Sequence, residues 1–133
     1  MLAREQLMPA TQVVFYQEAD GHAPVVDWLQ ELLETNERAW ANCRARIELL
    51  VQFGHELRRP AADYLRDGIY ELRAKQGHVQ YRLLYFFQGR QVAVLAHGLT
   101  KEDEVPPADI ERAIKRKKLF ETNPKAHTYE SED

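Results

Sequence analysis

Gly68-Ile69-Tyr70-Glu71-Leu72-Arg73, then Tyr81-Arg82-Leu83-Leu84-Tyr85, then His97-Gly98-Leu99-Thr100-Lys101, is the stretch on which the reading of the fold turns. Its segments are rich in aromatic and branched side chains and are separated by glycine-containing breaks, the pattern of β-strands. Three strands are predicted, over about 68–74, 79–87 and 91–97. Gln88-Gly89-Arg90 forms a tight turn between the last two, with Gly89 free to take a positive φ. Side chains alternate across a strand, so Glu71 and Arg73 share a face opposite Tyr70 and Leu72. Arg82, Leu84 and Phe86 likewise lie opposite Tyr81, Leu83 and Tyr85. The pairing register is left open by the sequence.

Working outward, Gln12 to Gln17 reads as a first strand and Asp20 to Pro24 as a turn. Pro24 suits the first position of a helix. Val25, Trp28, Leu29, Leu32 and Leu33 recur at helical spacing over about 24–34. Thr35-Asn36 ends that helix and caps the next, whose stripe is Trp40, Cys43, Ile47, Leu50 and Val51, with Gly54 as its stop. Leu57 to Leu65, with Pro60 inside, reads as a connecting loop, and Thr100 to Pro107 as another. A last helix runs from Pro107 to about Phe120. The order β-α-α-β-β-β-α predicts an α+β domain: an antiparallel sheet with helices packed on one face and the other face open to a ligand. Residues 1–121 form one domain, and the polar tail 122–133 is expected to be disordered.

The chain has 133 residues, 44% of them hydrophobic, enough for one packed core without a staple. Cys43 is the single cysteine, so an intrachain disulfide is excluded and a reducing cytoplasm is the expected setting. Met1 to Gln6 has no apolar run of a signal peptide, and no segment reads as a membrane span. Net charge is −3, yet residues 66–101 hold six basic side chains against two acidic ones. A local basic field of this kind can attract RNA to an otherwise acidic molecule.

Three neighbouring strands would bring Arg73, Arg82 and Lys101 together, and convergent cations on a rigid sheet can hold a phosphodiester. Arginine presents a permanently charged planar fork to two phosphate oxygens. The plainer reading of Glu71, Arg73 and Arg82 is a cross-strand ion-pair ladder on a solvated face. Lys75 and Arg90 belong to the same basic window. Lys115 to Lys118 form a run that is either a solvated helix end or a contact for RNA. The five histidines show no metal-ligand spacing, so neither a metal nor another cofactor is expected. Trp28 and Trp40 lie in helical stripes and read as core.

Gly68-Ile69-Tyr70-Glu71-Leu72-Arg73, Tyr81-Arg82-Leu83-Leu84-Tyr85 and His97-Gly98-Leu99-Thr100-Lys101 with Pro106, in this order, resemble the phage-derived, HigB-like branch of the RelE/ParE toxin superfamily. The resemblance spans about residues 10–120. It implies a RelE-like fold and the toxin of a type II toxin–antitoxin pair. It further implies cleavage of mRNA on the ribosome without a metal, and neutralisation by a cognate antitoxin, often of helix-turn-helix type. By position Arg73 and Arg82 match the family's strand arginines, and Lys101 the first of two lysines after the strand. Glu102 stands where the second lysine would be, and Glu71 near a lysine used in proton transfer. The reaction so implied is in-line attack of a ribose 2′-hydroxyl on the adjacent phosphate. Glu71, His97 or Lys101 would take the proton, and Tyr85 or His97 would protonate the leaving oxygen. Two alternatives share the fold: a ParE-like gyrase poison, and a phage or regulatory protein that binds a partner without catalysis.

Overall fold

The computed structural model describes residues 10–131. The stretch read for a signal peptide, and Glu132-Asp133 of the tail, lie outside the described residues. Among the described residues, five strands and three α-helices follow in the order β1 (Gln12–Phe15), α1 (Pro24–Thr35), α2 (Glu37–Phe53), β2 (Ala62–Arg66), β3 (Ile69–Gln76), β4 (Val79–Gln88), β5 (Val92–Lys101) and α3 (Pro107–Thr122). The sheet order is β1-β5-β4-β3-β2. The four later strands pair antiparallel, whereas β1 runs parallel to β5. The architecture is α+β, with a mixed sheet where an antiparallel one was expected.

Local chemistry explains the elements. Pro24 opens α1, and Asn36 ends it while its side chain accepts a bond of 3.2 Å from the Ala39 amide to cap α2. Gly54 closes α2 at φ +50°. The segment expected as a loop over 57–65 contains all of β2 but its last residue. Its hairpin to β3 turns on Asp67 and Gly68, at φ +52° and +81°, the left-handed pair that a tight hairpin demands. β5 extends to Lys101, so Thr100 and Lys101 are strand residues rather than loop. A bulge places both Ala96 and His97 opposite Leu84, because Tyr85 pairs Leu95 and Leu84 pairs His97.

The expectation of helices on one face and an open opposite face is corrected. α1 and α2 cover one side, with Val25, Leu32, Cys43 and Leu50 on Leu72, Leu83, Tyr85 and Leu95. α3 packs on the other side, with Ala113 and Phe120 against Ile69, Leu84, Phe86 and Val94. The physical reason is visible in β4, where residues 82–86 are all buried; a strand apolar on both faces needs cover on both. α3 nevertheless leaves part of its face uncovered, beyond its N-terminal end.

The tail expected to be disordered is also ordered as far as the described residues run. Thr128 bridges Tyr16, and the Tyr129 amide donates to the Phe15 carbonyl at 2.8 Å. His127 is buried and stacks on Tyr16 with ring centroids 5.3 Å apart. A polar composition concealed one buried ring and a free strand edge on which it docks. Among the described residues no helix is long and apolar enough to cross a membrane.

Candidate functional site

Register decides which cations meet. Arg73 on β3 lies directly opposite Arg82 on β4, which lies opposite Leu99 on β5. In the next row of the same face, Lys75 lies opposite Gln80, which lies opposite Lys101. Directly paired Cα atoms in antiparallel strands are about 5 Å apart. Four cations therefore occupy two adjacent rows on the side of the sheet that α3 leaves uncovered. They differ in exposure: Lys75 and Lys101 are exposed, Arg73 is half-buried and Arg82 is 5% exposed.

Arg82 is held down by Glu71, itself 6% exposed, with Arg82 Nε 3.4 Å from Glu71 Oε1. Neither of these two atoms has a hydrogen-bond partner. Burial pushes the Glu71 carboxyl above the usual carboxylate range, and the charges of Arg82 and Arg73 oppose that rise. Both residues line a cleft of about 340 Å³ with Arg73, Arg59, Asp63 and Arg66. Arg59 is committed to Asp63 (Nε to Oδ2, 2.9 Å), and this bond keeps Asp63 below its ordinary value. Arg66 is committed to Asp67 at 2.8 Å and Glu111 at 2.7 Å. Arg73 has no ion-pair partner among the described residues, and its charge acts on both Glu71 and Asp63. It is the cleft arginine available to an incoming anion.

The remaining expected residues lie elsewhere. Tyr85 is buried on the face of α1 and α2, stacked on Tyr70, and its hydroxyl is pushed far up by burial. His97 is enclosed by α3: Nε2 lies 2.6 Å from Asp109 and Nδ1 3.2 Å from Arg116. An arginine can only donate, so Nδ1 accepts and Nε2–H donates to Asp109. With both nitrogens occupied, His97 is a structural link between β5 and α3. Arg90 sits in the β4–β5 turn at the other end of the sheet. Lys115 and Lys118 are exposed on α3 and line other hollows, not the cleft.

Sequence reading missed Arg59, Asp63 and Arg66, which reach the cleft from β2 and the segment before it. The signal was present in Asp67-Gly68 between Tyr64-Leu65 and Ile69-Tyr70, an Asp-Gly hairpin flanked by apolar pairs.

The family model described as Phage derived protein Gp49-like (DUF891) matches residues 27–118, from within α1 to within α3. The chain belongs to the Gp49-like family. That family is part of the RelE/ParE-like toxin superfamily, and Gp49-like proteins are commonly toxins of toxin–antitoxin systems. No curated protein matches the chain. The Gp49-like match contains the whole of both cation rows, while β1 and the docked tail lie outside it.

Proposed function

We propose that this Gp49-like protein is a toxin of the HigB-like branch, an endoribonuclease that cuts translated mRNA on the ribosome. A cognate antitoxin, of helix-turn-helix type, restrains it. The observation that carries the reading is the pair of cation rows, with the half-buried Arg73 free beside a buried Arg82. A phosphate seated over Arg73 meets a planar fork backed by a second fixed positive charge, and Lys101 and Lys75 flank it. Such preorganised cations favour the charge that develops when a 2′-hydroxyl attacks the phosphorus. Glu71, with its proton affinity raised, is the cleft carboxylate beside Arg73 and Arg82 and would accept the hydroxyl proton. His97 and Tyr85 take no part, and solvent protonates the leaving oxygen. So few groups suffice where the ribosome positions the message. An acidic antitoxin segment laid over the two rows would neutralise the site.

Induced expression in a bacterial host tests this, comparing wild type with an Arg73→Ala/Lys101→Ala variant. Both residues are at least partly exposed, so the variant keeps its fold. Wild type is expected to arrest growth and produce new 5′ ends inside translated messages within minutes. The variant's cleavage should fall by about 100-fold or more. Undiminished cleavage by the variant would refute the mechanism.

The burial of Arg82 favours a second reading, a ParE-like gyrase poison, which needs no phosphate contact at this position. It predicts DNA damage and arrest without new RNA ends, unaffected by loss of Lys101. No arrest from either strain would leave a non-catalytic binding protein.

A further inference from the structure

Behind the cation rows, on the face of α1, lies a notch of about 400 Å³ formed by Trp28, Glu31, Thr35, Asn36, Tyr81 and Thr100. Tyr81 precedes Arg82, Thr100 precedes Lys101, and Tyr81 and Thr100 are cross-strand partners. One pair of strand segments therefore presents cations to one side and an aromatic hollow to the other. β1 pairs with β5 only as far as Leu95, so beyond it no described strand covers the outer edge of β5. A single strand of nucleic acid can pass round that edge from the face of Lys101 to the face of Thr100.

The notch is built rather than incidental. A Cβ at Gly98 would fall within 3.0 Å of three atoms of the Trp28 indole. The glycine lets the indole lie against bare backbone of β5. The Tyr81 ring sits 6.5 Å from the indole at 57°, and Asn36 Nδ2 donates to its hydroxyl at 3.3 Å. Both rings remain partly exposed. The polar groups at the rim are the Thr35 and Thr100 hydroxyls and the Glu31 carboxylate. A carboxylate repels a phosphate and accepts N–H groups, and two tilted rings offer a surface for a flat, uncharged ligand.

We propose that the Trp28–Tyr81 notch holds an unstacked nucleobase of the same single-stranded RNA whose backbone lies on the Arg73, Arg82 and Lys101 face. The inference rests on the nuclease reading above, and it adds a base contact to what is otherwise a phosphate site. Splayed bases stacked on aromatic side chains are the usual way in which proteins grip single-stranded RNA.

The chain has two tryptophans, so a Trp40→Phe protein leaves Trp28 as the reporter without a change in the notch. Two probes of equal length are titrated: a short 2′-O-methyl oligoadenylate, which cannot undergo 2′-hydroxyl attack, and an abasic phosphodiester oligomer. Oligoadenylate is expected to change Trp28 emission, and the abasic oligomer to bind more weakly without that change. Tyr81→Ala should weaken oligoadenylate by about 5- to 150-fold and leave the abasic affinity alone. Arg73→Ala/Lys101→Ala should weaken both probes. Tight oligoadenylate binding with silent Trp28 emission and no effect of Tyr81→Ala would overturn the base site and leave the phosphate reading standing. Failure of the parent protein to bind either probe would overturn the base site, and the nuclease reading is then decided separately by the 5′-end mapping above.

Discussion

Replacing Arg82 by methionine, alone and together with Glu71→Leu, separates what the buried pair does for stability from what it does for function. At 3.4 Å, two unit charges attract by about 5 kcal/mol at an effective dielectric constant near 20. Withdrawing each ion from water costs several kcal/mol, and neither Nε nor the facing Oε1 recovers a hydrogen bond. The attraction therefore falls short of, or at best matches, the combined desolvation cost. The raised proton affinity of Glu71 agrees, since burial outweighs the neighbouring arginines. Arg82→Met alone leaves a carboxylate buried without its partner and is expected to cost about 3–5 kcal/mol. That is a large share of the 5–15 kcal/mol, roughly, that holds a domain of this size folded. The double variant replaces both ions by apolar side chains of similar volume and should be within about 1 kcal/mol of wild type or more stable. Urea denaturation of the four proteins of the cycle, with the unfolding slope checked for constancy, gives the numbers. RNA 5′-end mapping on the double variant should show no cleavage despite its intact fold. A harmless single substitution, or a double variant as unstable as the single one, would refute this account of the pair.

Two further expectations concern the other side of α3. Burial holds His97 below its usual value, opposed by the bond to Asp109 and reinforced by Arg116. The unfolded chain thus takes up a proton near pH 6.5 before the folded one does. The stability this confers is full above that pH and is lost as pH falls through it toward the lower folded value. Melting temperatures from pH 7.5 to 5 should decline less steeply for His97→Gln than for wild type; parallel slopes would show that His97 does not titrate as described. Truncation after Pro124 removes the Tyr16–His127 stack and several backbone bonds along β1, and should cost about 2–4 kcal/mol. An unchanged denaturation midpoint would mean that the tail contributes nothing to the fold.

The strands that carry the arginines were legible because period-2 alternation and glycine turns are local signals. So were α1 and α2, whose proline, Asn36 cap and Gly54 stop act within a few residues of themselves. What was not legible depends on distant partners. β2 is short and polar and forms only because β3 offers it an edge. The docked tail is ordered by one buried histidine ring on Tyr16, which no composition rule reveals. His97 and Tyr85 show the same limit at the site: each sits in a strand beside the right cations, yet a bulge and an alternation send them elsewhere. The bulge at Ala96–His97 delivers His97 to Asp109 and Arg116 of α3. Tyr85 takes the face opposite Arg82 and joins the core under α1 and α2. Register, not residue type, chose Arg73, Lys75, Arg82 and Lys101 as neighbours.

The place where α3 begins is what keeps those four accessible. Pro106, at φ −61° and ψ 144°, is extended, and Pro107 is the first helical residue, an arrangement that fixes the start of the helix sharply. Ile110, in the first turn, already reaches the cleft wall beside Arg73 and Arg82. A helix begun one turn earlier would extend about 5 Å further over the sheet. It would then cover the row of Arg73 and Arg82, as the rest of α3 covers Leu84 and Phe86. The segment between Lys101 and Pro107 therefore does more than connect. Its acidic residues Glu102 and Asp103 stay exposed, while Glu104 and Val105 line the cleft. On the proposed RNA-binding reading, Glu104 in the cleft opposes a phosphate, whereas Arg73 in the cleft and Lys75 and Lys101 in the next row of the sheet attract it.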